Sequence, residues 1–162
     1  MIISLIAAVD NKMGIGLNGI MPWGYIKEDM AFFKKTTLNY PVVMGRVTFE
    51  SLNSKPLPNR KNIIISNTIT TTEDVFAEKS LEEVLKQLLI KKEKQVFIIG
   101  GESIYNKAID YADIVYLTHI DKDYNCDRFF PSFDMNNFNI EVISNFKNQN
   151  IDVYIKKYTK NL

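Results

Sequence analysis

Gly14-Ile15-Gly16-Leu17-Asn18-Gly19-Ile20-Met21-Pro22-Trp23 decides which kind of α/β protein this chain builds. Its first six residues match G-x-G-x-x-G, and they follow Ile2-Ile3-Ser4-Leu5-Ile6-Ala7-Ala8-Val9, an apolar run that reads as a buried first strand. A dinucleotide-binding fingerprint needs its last glycine inside a helix whose N-terminus faces a pyrophosphate. Pro22 disrupts any helix running through this stretch. The Rossmann reading is therefore set aside, and the glycines give backbone freedom to a mobile loop over residues 10–26.

Outward from that loop the period changes. Over residues 27–38, Met30, Phe33 and Thr37 share one helical face, with Lys27, Lys34 and Lys35 outside it. Pro41-Val42-Val43-Met44-Gly45 is a buried strand leading into a short helix over Val47–Leu52. Pro56-Leu57-Pro58 breaks the chain before a strand over Asn62–Ser66. Ser80-Leu81-Glu82-Glu83 has the form of a capping box that opens an amphipathic helix to Ile90. Gln95–Ile99 is a strand running into Gly100-Gly101, then a helix from Glu102 to Ile109, then a strand over Ile114–Ile120. Phe138–Phe146 and Ile151–Tyr158 alternate around Lys147-Asn148-Gln149-Asn150 and read as an antiparallel hairpin. Alternating strands and helices that end in a hairpin predict an α/β fold. Its central sheet is mostly parallel, about eight strands with an antiparallel C-terminal hairpin, flanked by about four helices. No repeat or linker divides the chain, so residues 1–162 are expected to form a single domain.

Composition narrows the function. Twenty basic residues against 19 acidic ones give a net charge of +1, which offers no electrostatic footprint for nucleic acid or an anionic membrane. Any anionic ligand must be held by a few placed cations. The single cysteine, Cys126, allows no internal disulfide and reads as structural. The first apolar run is too short to span a membrane and lacks a signal-peptide layout, so a cytoplasmic location is expected. No His, Cys or acidic cluster has metal-ligand spacing.

Two neighbouring acids, Glu28 and Asp29, open the first helix. Acids are favourable at a helix start for purely structural reasons. A carboxylate sharing a face with Phe33 and Met30 would also be partly desolvated, which raises its pKa and suits it to bind and protonate a heterocycle near neutral pH. Phe33 lies four residues beyond Asp29, whereas Glu28 points about 100° away. Asp29 is thus the candidate acid.

Seven segments, taken in order, resemble dihydrofolate reductases along nearly the whole chain. They are Ile3–Ala8; Ile15-Gly16 with Met21-Pro22-Trp23; Asp29–Lys34; Pro41–Ser51; Pro56–Asn62; Ile98–Gly101 through Tyr105; and Tyr116–Ile120. The resemblance implies a fold of that family, NADPH as cofactor, and reduction of 7,8-dihydrofolate to tetrahydrofolate for one-carbon metabolism. It further implies a monomer that binds antifolate-type small molecules.

Residue by residue, the resemblance places Asp29 on the pterin, with Thr118 hydrogen-bonded to it. Trp23 anchors the end of a lid over residues 10–24. Ile6, Ala7, Met30, Phe33, Leu52, Leu57 and Ile99 line the substrate, and Arg60 pairs with the carboxylate of its glutamate tail. A guanidinium suits that task because its fork binds a carboxylate bidentately. On the cofactor side it implies Ala8, Ile15, Gly16, Gly45, Arg46, Val47, Thr48, Ser66, Asn67, Lys79 and Ile99. Gly100, Gly101, Glu102, Ser103, Ile104 and Tyr105 complete that list, with Tyr105 near the nicotinamide. In the family the bond between the paired glycines is cis.

Three positions depart from the common pattern: Asn67 where many members carry Ser or Arg, and Glu102-Ser103 where many carry Gly then Arg or Lys. Thr118 and Tyr105 also have plain readings, as a strand residue and a core ring. Arg60 and Lys79 equally read as solvated charges. His119 adjoins Thr118, but strand alternation puts it on the opposite sheet face, so it reads as structural. Two rival functions stay open: a pyrimidine reductase of riboflavin synthesis with similar architecture, and a non-catalytic nucleotide- or RNA-binding module. The combination of Asp29, Phe33 and Arg60 disfavours the first; the lid and balanced charge disfavour the second.

Overall fold

The computed structural model describes residues 1–162. Its strands are Ile2–Val9 (β1), Gly14–Gly16 (β2), Val42–Gly45 (β3), Asn62–Ile65 (β4), Val75–Glu78 (β5), Gln95–Gly100 (β6), Ile114–Ile120 (β7), Arg128–Phe129 (β8), Phe138–Asn148 (β9) and Ile151–Lys160 (β10). Its α-helices are Lys27–Thr37 (α1), Arg46–Ser51 (α2), Leu81–Ile90 (α3) and Glu102–Ala108 (α4). Eight strands form one sheet in the order β5-β4-β3-β6-β1-β7-β10-β9. Pairings from β5 across to β7 are all parallel, and β10 runs antiparallel to both of its neighbours. This is the mostly parallel α/β sheet with four helices that the alternation of elements predicts.

Period-two alternation sorts the sheet residues into two cores. Leu5, Val9, Val43, Ile98, Val115 and Leu117 pack toward Leu81, Val84 and Leu88 of α3 and Ile104, Tyr105 and Ala108 of α4. Ile6, Val42, Met44, Ile64 and Phe97 pack on the other face with Phe49 of α2 and Phe32 and Phe33 of α1. Burying such a side chain contributes about 1.5–3 kcal/mol, which is why apolar runs of three residues suffice for β3 and β4. His119 falls with the odd-numbered residues of β7: its Nε2 lies 2.8 Å from the hydroxyl of Tyr158, on the face opposite Thr118.

Several boundaries differ from the sequence expectation. β5 has no counterpart among the strands read from sequence, because Val75 is its one buried residue and a polar run precedes it. Parallel pairing with β4, Asn62 to Val75 through Ile65 to Glu78, makes it a strand. The C-terminal hairpin is longer than expected and its connection shorter. Gln149 and Asn150, at φ 49° and 66°, form a two-residue turn whose twist suits paired strands. At α3, Ser80 accepts the Glu83 N–H at 3.2 Å, which is the N-cap half of the expected capping box.

The G-x-G-x-x-G stretch builds no helix. Gly14–Gly16 is β2, Leu17 and Ile20 close a tight turn by exchanging backbone hydrogen bonds, and α1 begins only at Lys27. β2 pairs with β8 in a second, two-stranded sheet beside the main one. No helix is long and apolar enough to cross a membrane.

Candidate active site

β3 and β6 are neighbours, and each ends in a glycine that runs directly into a helix start. Ligands of open parallel sheets bind outside such carboxyl ends. Gly45 meets Ile104 there, since a Cβ on it would sit 3.2 Å from the Ile104 side chain. Gly100 has φ 127°, a conformation that favours glycine, and a Cβ on Gly101 would lie 3.3 Å from the Thr48 hydroxyl. The Gly100–Gly101 bond is cis. Gly45, Thr48, Gly100, Gly101 and Ile104, all cofactor candidates by sequence, therefore converge in one cradle. Free N–H groups of the helix starts face the same end, which suits phosphate. Tyr105 is buried beneath it, and its hydroxyl donates to the Ile6 carbonyl at 2.6 Å. Burial, with the Asp29 charge second, holds its phenol well above the ordinary range.

Asp29 lies on the other side of β1. Burial pushes its carboxyl above the usual carboxylate range, and the Thr118 hydroxyl, donating to Oδ1 at 2.6 Å, opposes that shift. A hydrogen bond to a charged group is worth about 1.5–3 kcal/mol, enough to hold the carboxylate in one orientation. Glu28, one residue earlier, is exposed. The helix phase that selects Asp29 from sequence is the phase observed.

Arg60 is half-buried, donating Nε to the Pro58 carbonyl at 2.9 Å and Nη1 to the Thr37 hydroxyl at 3.0 Å. Thr37 in turn donates to the Phe33 carbonyl. Asp29 and Thr37 are eight residues apart on α1, so a carboxylate and a guanidinium hang roughly 12 Å apart along one helix. Phe33, Leu52, Leu57 and Ile99 pack against the buried cluster that holds Ile6, and Met30 is half-buried on the same helix as Phe33. Ala7 and Ile15 instead pack on the α3–α4 core, and Ala8 packs beside Trp23.

The remaining charged candidates are more loosely placed. Arg46 is exposed and gives both Nη1 contacts, 2.7 and 2.9 Å, to Glu50 one turn on. An exposed pair of this kind is worth about 0.3–0.5 kcal/mol, less than one hydrogen bond to phosphate, so it leaves the guanidinium available. Val47 and Ser103 are exposed. Ser66 caps its own turn by accepting from Thr68 and Ile69 N–H groups, and its backbone pairs with Glu78, which brings Lys79 alongside. Asn67 and Lys79 both point to solvent. Glu102 turns its carboxylate to the Phe129 N–H at 2.6 Å.

Sequence reading missed Asp10, which organises the loop after β1. This buried carboxylate accepts N–H groups from Lys12, Gly14 and Tyr124 at 2.7–3.0 Å. Burial alone would raise its pKa, but those amides outweigh it and the group sits below the ordinary range. An Asp at a strand end before Asn-Lys is an Asx-turn signal; the tie to Tyr124, 114 residues away, has none. Trp23, at the far end of that loop, packs edge-on against Tyr124, ring centroids 5.6 Å apart. Cys126 lies beside Asp10; burial first, then that charge, push its thiol up to about 11, which keeps it a poor nucleophile.

One desolvated carboxylate and a glycine-rich helix-start cradle at the carboxyl ends of a parallel sheet define an α/β enzyme of the nucleotide-cofactor class. The family model for dihydrofolate reductase matches residues 2–160. The dihydrofolate reductase of Buchnera aphidicola from Schizaphis graminum is 41% identical over 131 residues, covering 81% of this chain and 80% of that protein. That of Bacillus subtilis is 37% identical over 139 residues, 85% of this chain and 80% of the relative. A solved dihydrofolate reductase from Enterococcus faecalis, complexed with NADP(H) and RAB-propyl, superposes with a TM-score of 0.88 at 30% identity, covering 99% of this chain and 97% of that one. The chain belongs to the dihydrofolate reductase family.

Proposed function

We infer that the chain reduces 7,8-dihydrofolate to 5,6,7,8-tetrahydrofolate with NADPH, serving one-carbon metabolism and thymidylate synthesis. The observation that carries this reading is α1 itself: a desolvated, Thr118-oriented carboxylate at one end and Arg60, held through Thr37, at the other. Such a pair of polar ends suits an elongated ligand with a hydrogen-bonding ring at one end and a carboxylate at the other. Bound NADPH supplies the hydride that goes to pterin C6.

In this reading Asp29 holds the ring's amino edge and manages the proton that reaches N5. Thr118 fixes the carboxylate's orientation, and Phe33, Met30, Ile6, Leu52, Leu57 and Ile99 exclude water from the ring and its linker. Arg60 takes the tail carboxylate. The α2 and α4 starts, with Arg46, Thr48 and Gly101, hold the cofactor's phosphates; Ser66, Asn67 and Lys79 face the adenosine end. Ala8, Ile15, Gly16 and Tyr105 surround the nicotinamide, and the lid ending at Trp23 closes over it. The same reading has residues 1–162 act as one domain, as a monomer in the cytoplasm without a nucleic-acid partner; the near-balanced charge supports the last point. The test is NADPH oxidation followed by absorbance with dihydrofolate as substrate. A well-folded preparation without turnover overturns the assignment.

A further inference from the structure

Glu102 and Tyr105 lie three residues apart, on one face of α4, and they grip two consecutive residues of a distant segment. Glu102 Oε2 accepts the Phe129 N–H at 2.6 Å, and the Tyr105 ring packs on Phe130 with centroids 4.9 Å apart. Phe129 belongs to β8, which pairs with lid strand β2 at Gly14 and Gly16. Flanking it, Phe130 donates to the Met13 carbonyl at 2.8 Å and Asp127 donates to the Gly16 carbonyl at 2.9 Å. The helix that starts at the Gly100–Gly101 cradle is therefore also the helix that holds the lid's partner strand.

We propose that Glu102 is a positioning residue, a latch that couples the lid to the start of α4. With the latch made, β8 is held against α4 and offers a fixed edge to β2. Without it, the Phe129 amide turns to solvent and the lid pairing loosens, while the Tyr105–Phe130 contact keeps the segment nearby. Because the same helix start is read above as a phosphate-holding element, the latch ties cofactor retention to lid order; that clause rests on the proposed function. A carboxylate suits the task because an ionised acceptor makes a short, strong bond to a backbone N–H. Glutamine keeps an acceptor oxygen at the same reach, and alanine keeps none.

The experiment compares the parent with Glu102→Ala and Glu102→Gln, first by amide hydrogen exchange without cofactor. In Glu102→Ala, exchange at Asp127, Phe129 and Phe130 should quicken by about tenfold or more, the scale of one lost charge-assisted bond. Amides of Leu5, Val115 and Ile155 in the main sheet should keep the parent rate, and Glu102→Gln should retain most of the local protection. Stopped-flow release of NADPH should then be faster from Glu102→Ala than from either other protein. Unchanged exchange in Glu102→Ala, equal acceleration in the main sheet, or a Glu102→Gln protein as loose as Glu102→Ala overturns the latch. Local loosening with unchanged NADPH release overturns the coupling. The exchange arm needs no cofactor, so a parent lacking dihydrofolate turnover overturns the assigned reaction while the same exchange pattern still upholds the latch.

Discussion

Burial of Asp29 disfavours its charged form and the Thr118 hydroxyl favours it, with burial the larger effect. A carboxyl whose folded pKa lies above the unfolded value of 3.8 stabilises the fold only while protonated, and that contribution is lost as pH rises through the folded pKa. At neutral pH the ionised Asp29 therefore works against folding. Asp29→Asn should melt at a higher temperature than the parent at pH 7, with the gap closing as pH falls. The same variant should lose roughly 10²–10⁴-fold in turnover near neutrality, the scale of a positioned acid–base group, and less at low pH, where solvent protonates N5. Exposed Glu28 is the control: Glu28→Gln should match the parent in steady-state rates and lose only the stability of a helix-start charge, about 0.3–1 kcal/mol, and a crippled Glu28→Gln beside a healthy Asp29→Asn would reverse the assignment. Thr118→Val removes the hydrogen bond that opposes burial, so the Asp29 titration midpoint, read by carboxyl carbon NMR, should move to higher pH; an unmoved midpoint would show the hydroxyl to be electrostatically idle.

Among the elements, α1 carries most of the site, because its turns place Asp29, Phe33 and Thr37 along one side. That spacing is readable from sequence, and it selected the acid. The partners could not be read the same way: Arg60 reaches α1 from a loop 23 residues on, and Thr118 from a strand 89 residues on. If the two ends of α1 grip opposite ends of one ligand, Arg60→Ala should weaken dihydrofolate more than a pterin lacking the glutamate tail. Binding titrations with both ligands decide it. Equal losses would mean that Arg60 acts by pinning Pro58 and Thr37, through packing alone.

At the scale of the whole molecule, pH acts on the fold through groups outside the candidate site as well. His119 of β7, packed beside Tyr158 of β10, is held down to about 4, by burial first and by Lys156 second. A histidine depressed from 6.5 is neutral in the folded state while the unfolded chain protonates, so its contribution is present above pH 6.5 and lost as pH falls toward 4. Urea unfolding at pH 7.5 and 5 should show a smaller loss for His119→Gln than for the parent; parallel losses would exclude His119 as the source. The chain's own sequence determined the order of strands and helices, the antiparallel finish and which of Glu28 and Asp29 turns inward. Each of these follows from side-chain period and backbone preference acting over a few neighbouring residues. Tertiary structure alone decided β5, the β2–β8 pairing, the Asp10–Tyr124 tie and the turn of Glu102 toward Phe129. Strands of two to four residues are too short to carry a period, and they exist because a distant partner satisfies their backbone groups. Which partner that is depends on strand order across the sheet, a property of the packed chain that no local pattern encodes.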